Sequence, residues 1–184
     1  MTHDPKLAMI PLGDGTRVAV VDAQDYERLA HMKWYLRDKR PGEGGKYAVT
    51  SVGPKWNQMR YVPMQRFMFD TVPDGLVVDH INGNGLDNRR SNLRLVTVVQ
   101  NNWNAAPHQN ARSKFKGVAF HKARGKWYAR IACNGRRTLL GYFDREIDAA
   151  TAYNEAASTL HGEFARLNEA ARPRIQESTP CSAS

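Results

Sequence analysis

An α+β chain built from small units is what the sequence predicts, and three observations predict it. Short runs rich in Val, Leu, Ile and Tyr alternate with loops of Gly, Asn and Pro, the pattern of brief antiparallel strands. Helical spacing occurs in few places, the longest being the alanine-rich run that follows Phe143. An Asn134-Gly135 pair sits between two strand-like runs, a composition that favours a two-residue hairpin turn. In order, these patterns give a small N-terminal mixed unit at 1–71, a strand-strand-helix unit at 72–105 and a linker at 106–113. A three-stranded antiparallel sheet packed on one helix follows at 114–168, and a polar, Pro-containing tail at 169–184 is expected to be disordered.

In the first unit, "TRVAVVD" reads as a strand and "AQDYERLAHM" as a helix with Tyr26 and Leu29 on one side. "KWYLR" and "KYAVTSV" read as strands joined by the charged loop "DKRPGEGG". "RYVPMQRFMFD" places Met64, Phe67 and Met68 on one helical face after a first-turn proline. A Pro-Asp-Gly turn opens the second unit, whose strands end at Val78 and cover "LRLV"; its helix starts at "TVVQNNWNA" with Thr97 as N-cap. In the third unit "KGVAFHK", "KWYARIAC" and "RRTLLGYF" are the strands. The helix after them has an alanine-rich face marked by Ile147, Ala150, Ala157 and Leu160, and Gly162 ends it.

Charge narrows the function. The 184 residues carry 27 Lys and Arg against 18 Asp and Glu, a net charge of +9, so the expected partner is a polyanion. No apolar run approaches the ~20 residues of a membrane span, and the N-terminus lacks the apolar core of a signal peptide. A cytoplasmic protein with no membrane partner is expected. Cys133 and Cys181 are too few for a cysteine-rich zinc site, so any metal should be held by oxygen and imidazole.

The stretch "VVDHINGNGLDNRRSNLRLVTVVQNNWN", residues 77 to 104, holds the chemistry. A strand ending at Val78 presents Asp79 and His80 at its mouth, and the later helix can lay Asn101 beside them. Carboxylate and amide oxygens suit Mg²⁺, which keeps positions open for a phosphate, and a neutral imidazole can take a proton from water. These are the parts of metal-assisted phosphodiester hydrolysis. The competing reading is a turn, with asparagines adopting left-handed backbone; Asn82, Asn84 and Asn88 are assigned to it, whereas the joint spacing of Asp79, His80, Asn92 and Asn101 outweighs it. Arg89, Arg90 and Arg94 flank the motif, and one of them is expected to contact the DNA backbone. His31, His108, His121 and His161 have no such set around them and read as surface or packing residues.

This order of residues resembles the HNH nucleases, and especially phage and intron homing endonucleases with the pattern "DHINGNxLDNRxSNLRxVTxxxNxxN". The resemblance implies a ββα-metal fold at 72–105. It implies that Asp79 and Asn101 bind Mg²⁺ (or Mn²⁺), that His80 is the general base, and that Asn92 holds the loop so that His80 is aimed. Asparagine as the third motif letter favours a harder metal, since an amide oxygen is a harder donor than imidazole.

From Arg112 to Arg137 the chain has many Lys and Arg and no acid. Along "KWYARIAC" Trp127, Ala129 and Ile131 share the face that should meet the helix, which leaves Tyr128 and Arg130 on a free basic face. Such a sheet can lie in a DNA major groove. The stretch from 113 to 168 is similar to the Apetala/ethylene-response-factor DNA-binding domain of plants, with "KGV", "GKWxAxI" and "LGxFDxxxxAAxAYxxAAxxxxGxxAxLN" in common. That similarity implies that Lys116, His121, Arg124, Arg130 and Arg137 face DNA. Ala119 and Leu139 replace the plant pattern's Arg and Trp, so only the docking mode carries over. RNA is disfavoured because the sheet shows no paired exposed aromatics.

The expected function is a modular homing endonuclease acting as a monomer on double-stranded DNA, without an obligate protein partner, in a bacterial or phage-infected host cell. The alternative is a sequence-specific DNA-binding regulator that keeps the HNH scaffold without cutting.

Overall fold

The computed structural model describes residues 7–13, 15–38, 45–55, 58–107 and 111–171. It is a mixed α and β structure of small antiparallel sheets with few helices, and the chain divides into two compact units, Met1–Asn110 and Ala111–Ser184. The loop "DKRPGEGG", His108, Cys181 and the polar tail fall wholly or largely outside the described residues.

The first unit opens with a hairpin of β1 (Leu7–Leu12) and β2 (Arg17–Asp22), followed by α1 (Ala23–Ala30). Strand β1 leaves little sequence signal, because Pro11 interrupts its alternation and sits opposite Val18 at the hairpin edge. Helix α1 buries Asp25 and Leu29, one turn apart, while Tyr26 stays 40% exposed. The expected Tyr26 and Leu29 face is therefore not the buried one, because Asp25 is drawn inward by an arginine described below.

Strands β3 (Tyr35–Asp38), β4 (Lys46–Val52) and β5 (Arg60–Pro63) form a sheet in the order β3-β4-β5. A 3-10 turn at Met64–Met68 then drops Met64 and Met68 into the core. There they meet Ile10, Leu12, Val21, Leu29, Trp34 and Ala48. Trp34 packs edge-on against Phe67 at 5.5 Å and donates its indole N–H to the Leu29 carbonyl at 2.9 Å, which closes helix α1 onto the sheet. Full burial of each large side chain contributes about 1.5–3 kcal/mol.

Strands β6 (Leu76–His80) and β7 (Leu93–Thr97) pair antiparallel, with Asp79 opposite Arg94 and His80 opposite Leu93. Helix α2 (Val98–Asn104) starts in a capping box, in which the Thr97 hydroxyl accepts from the Gln100 N–H and the Gln100 side chain accepts from the Thr97 N–H. Leu93, Val78 and Leu86 join the same core as the hairpin and the first sheet.

The second unit has β8 (Val118–His121), β9 (Lys126–Cys133) and β10 (Arg136–Phe143) in the order β10-β9-β8. Asn134 and Gly135 turn the hairpin with φ of 50° and 74°. Helix α3 (Glu146–His161) covers one face, where Ala129 and Ile131 meet Ala149, Ala150, Tyr153 and Ala157. Leu160 is 45% exposed rather than part of that face, because Tyr153 and His161 take the inward positions. Burial raises the Tyr153 phenol to about 12. Among the described residues no helix is long and apolar enough to cross a membrane.

Candidate active site

Asp79 and His80 end strand β6 side by side and are 6% and 4% exposed. A buried carboxylate needs partners, and Asp79 has two. Arg94, facing it across the β6-β7 ladder, donates to Oδ2 at 3.0 Å, and the Asn104 amide on α2 donates to both carboxylate oxygens at 3.0 Å. The same amide reaches the His80 carbonyl at 2.8 Å, so Asn104 pins the strand end to the helix. Asn101 lies one turn earlier on α2, half-buried, and among the described residues its side chain makes no hydrogen bond to Asp79 or His80. The helical side chain on Asp79 is thus Asn104, the last asparagine of the quoted pattern, which lies outside the expected set of Asp79, His80, Asn92 and Asn101.

The His80 Nε2 lies 3.2 Å from the Asn88 Oδ1. Asn88 is fully buried, and its backbone N–H is fixed on the Val20 carbonyl of β2 at 2.7 Å. The ring of His80 faces Tyr47 of β4 with 6.1 Å between centroids. Gly85 lets this loop approach: a Cβ there would lie 2.4 Å from the Lys46 carbonyl and 2.5 Å from the Tyr47 ring.

Asn92 spans the loop between the strands. Its amide donates to the Asp87 carbonyl at 2.8 Å and to Asn82 Oδ1 at 3.0 Å, and its oxygen accepts from the Asn82 N–H at 3.0 Å. Asn82, Asn84 and Asn88 do not have left-handed backbone; among the described residues Asn134 alone, glycines aside, has positive φ. Their side chains do the turning instead, with Asn82 accepting from the Asn84 N–H and Asn84 from the Leu86 N–H. Asn88 is set apart by its contact with His80.

The three flanking arginines each hold a carboxylate. Arg89 grips Asp87 at 2.7 and 2.6 Å and, by that hydrogen bond, holds its carboxyl below the ordinary aspartate range. Arg90 forks onto Asp25 at 2.8 and 2.7 Å, and its backbone N–H donates to Asp22 at 2.8 Å. Arg94 holds Asp79 and is only 15% exposed. An isolated parallel bridge between Val20 and Asp87 adds backbone to these ties, so the polar loop is a third strand-like edge on the N-terminal hairpin.

Residues 70–103 match the family described as HNH endonuclease. The chain is also 32% identical, over 157 residues, to an uncharacterized HNH endonuclease of Acanthamoeba polyphaga mimivirus, a match spanning 85% of this chain and 77% of that relative. The chain belongs to the HNH endonuclease family. The chain is also similar to protein 3.8 of Escherichia phage T7, 31% identical over 97 residues, 52% of this chain and 78% of that protein. Dehydration-responsive element-binding protein 2A of Arabidopsis thaliana is 44% identical over 62 residues, which is 33% of this chain and 18% of the plant protein. No solved structure matches the chain at a significant level.

The donor set of this HNH site fits a hard divalent cation. The Asp79 carboxylate supplies hard oxygens with lone pairs beyond those Arg94 and Asn104 use, whereas the Asn104 amide turns its N–H rather than its oxygen toward it, so an amide-oxygen ligand would have to come from Asn101. Among the described residues no group of three or more His, Cys, Asp or Glu gathers.

On the second unit His121, Arg130 and the β9-β10 hairpin share the sheet face opposite α3. The expectation that this face lacks paired aromatics does not hold. A bulge between Leu139 and Gly141 shifts the register by one, so that Tyr142 lies opposite Tyr128 at 6.1 Å instead of opposite Trp127. His121 completes a ring cluster at 6.3 Å from Tyr128 and 5.7 Å from Tyr142. Arg124 stacks over Tyr142 at 4.7 Å and Arg130 over Tyr128 at 5.9 Å. Arg137 is exposed on β10. Lys116 is tied elsewhere: its backbone is bracketed by the Asn168 side chain at 2.8 and 3.1 Å, and its charge helps to lower the His161 pKa, after burial.

Proposed function

We propose that this HNH protein is a site-specific DNA endonuclease of the homing type, dependent on Mg²⁺ or Mn²⁺. The observation that carries the reading is the pair of buried polar side chains at the end of β6. Asp79 and His80 are enclosed by Arg94, Asn104, Asn88 and the Asn92-bridged loop. A turn needs no buried carboxylate and imidazole, and burying them costs free energy that a reaction site explains. Asp79 and Asn101 would hold the ion, which neutralises charge on the phosphate and stabilises the leaving 3′-oxygen. His80 takes the proton of the attacking water, and Asn88 fixes the orientation of its ring. Asn92 keeps the loop closed over that geometry. The aromatic and basic face of the second unit, with His121, Arg124, Arg130 and Arg137, supplies affinity for duplex DNA, and Lys116 contributes from its edge. The protein acts as a monomer.

A specific contact favours the second reading, a DNA-binding regulator that does not cut: Arg94 already neutralises Asp79. Cleavage of supercoiled plasmids carrying a randomised insert decides between them. Nicked or linear product that requires both a divalent metal and His80, and that is lost in His80→Ala while DNA binding persists, supports the endonuclease. Binding without any product in Mg²⁺ or Mn²⁺ supports the regulator.

A further inference from the structure

Beyond the motif, the first unit contains a pocket of about 480 Å³ between the edge strand β5, the 3-10 turn after it and β6. Its wall includes Arg60, Tyr61, Gln65, Arg66, Val77 and Val78. Three features set it apart from a packing defect. Arg60 and Arg66 are exposed and, among the described residues, have no carboxylate partner, whereas Arg89, Arg90 and Arg94 each grip one. Tyr61 is 56% exposed; the Arg37 guanidinium backs one face of its ring at 4.2 Å. Gln65 is 93% buried, being 7% exposed, yet its Oε1 has no hydrogen-bond partner. An unsatisfied buried amide costs about 1–3 kcal/mol, so one retained in a pocket wall is a sign of a missing partner.

The pocket also has a telling address. Val77 lies on the same side of β6 as Asp79, two residues or about 7 Å along the strand. We propose that the pocket is a nucleotide subsite that receives a base next to the scissile phosphate, with Arg60 and Arg66 on the flanking phosphates. The base lies against Tyr61 and the two valines, and the Gln65 amide reads its hydrogen-bonding edge. Two unpaired guanidinium groups call for phosphate oxygens, an open tyrosine face calls for a planar π-system, and an orphaned amide calls for a polar edge. A nucleotide unit of a DNA strand has all three in one ligand. The inference rests on the reading that DNA is engaged beside Asp79.

Photo-crosslinking tests it without requiring a cut. The full chain is mixed, in EDTA, with duplex DNA carrying 5-iodouracil in place of thymine, irradiated, and its DNA-linked peptides are sequenced by mass spectrometry. The expected adduct is on Tyr61, and it falls about tenfold in the Arg60→Ala/Arg66→Ala double variant while adducts on the second unit stay unchanged. Gln65→Leu, which removes the orphaned amide at similar volume, should keep the fold and the salt dependence of binding but alter which neighbouring bases crosslink. Labelling confined to other residues, or Tyr61 labelling indifferent to both variants, overturns the subsite. Plasmid cleavage with no Tyr61 adduct defeats the pocket alone; a Tyr61 adduct with no cleavage defeats the endonuclease reading alone.

Discussion

Replacing Asn92 by Asp changes one atom of the side chain and should be at least as damaging as replacing it by Ala. The native amide nitrogen donates to the Asp87 carbonyl at 2.8 Å and to Asn82 Oδ1 at 3.0 Å, and its oxygen accepts from the Asn82 N–H at 3.0 Å. Ala removes all three bonds, each worth about 1 kcal/mol net. Exposed Asn82 can turn to water, but the Asp87 carbonyl sits within a buried residue, so the loss should be about 2–3 kcal/mol. Asp keeps the acceptor and turns the donor into a second oxygen aimed at two acceptors, so repulsion replaces two bonds. Urea unfolding of the full chain, with hydrogen exchange at amides of the first unit as the local probe, measures both variants. The Asp variant should recover part of the loss at acid pH, where a protonated carboxyl can donate again. An Asp variant within ~0.5 kcal/mol of wild type at pH 7 would refute this account of the loop.

Arg90→Ala strands Asp25, whose side chain is 5% exposed, and should cost about 2 kcal/mol after allowance for the half-exposed arginine; adding Asp25→Asn should recover much of it in a double-mutant cycle. His161 has its pKa lowered by burial, so the unfolded chain takes up a proton first as pH falls. Stability of the second unit should therefore be level above the ordinary histidine range and decline as pH drops through it, and thermal unfolding should show this slope reduced in His161→Gln. Deleting Leu140 removes the bulge residue yet leaves Gly141 opposite Ala129 and Tyr142 opposite Tyr128, so the Tyr128-Tyr142 contact should persist in NMR, and its loss would refute this register. Gly85→Ala drives a Cβ into the Lys46 carbonyl and should destabilise the first unit by more than ~2 kcal/mol in the same urea assay.

Local signals in the sequence were strong where chemistry is local. Thr97 and Gln100 cap α2 through their own backbone neighbours, and Asn134-Gly135 has the left-handed angles its turn demands, so both are readable within four residues. Strand β6 was readable in place but not in extent: expected to end at Val78, it runs on through Asp79 and His80, which pair with Arg94 and Leu93. What stayed illegible acts over distance or by register. Arg90 meets Asp25 across 65 positions, and that pair, not hydrophobicity, decides which side of α1 is buried. Asn88 looked like another loop asparagine until β2 fixed its backbone and turned its side chain onto His80. The aromatic cluster on the second unit depends on one extra residue in β10, which alternation alone counts on the wrong face.

The bridge between Val20 and Asp87 bears on what evolution can exchange between genes. A motif of some thirty residues looks like a cassette, ready to be cut out and pasted behind any DNA-binding domain. Here its loop takes backbone bonds from Val20, and its Arg90 guanidinium is clasped by the Asp25 carboxylate of helix α1, so a cassette begun near residue 72 would arrive without the strand that seats Asn88. The unit that can travel intact is the whole of Met1–Asn110, and the seam at which partners can be swapped falls after it.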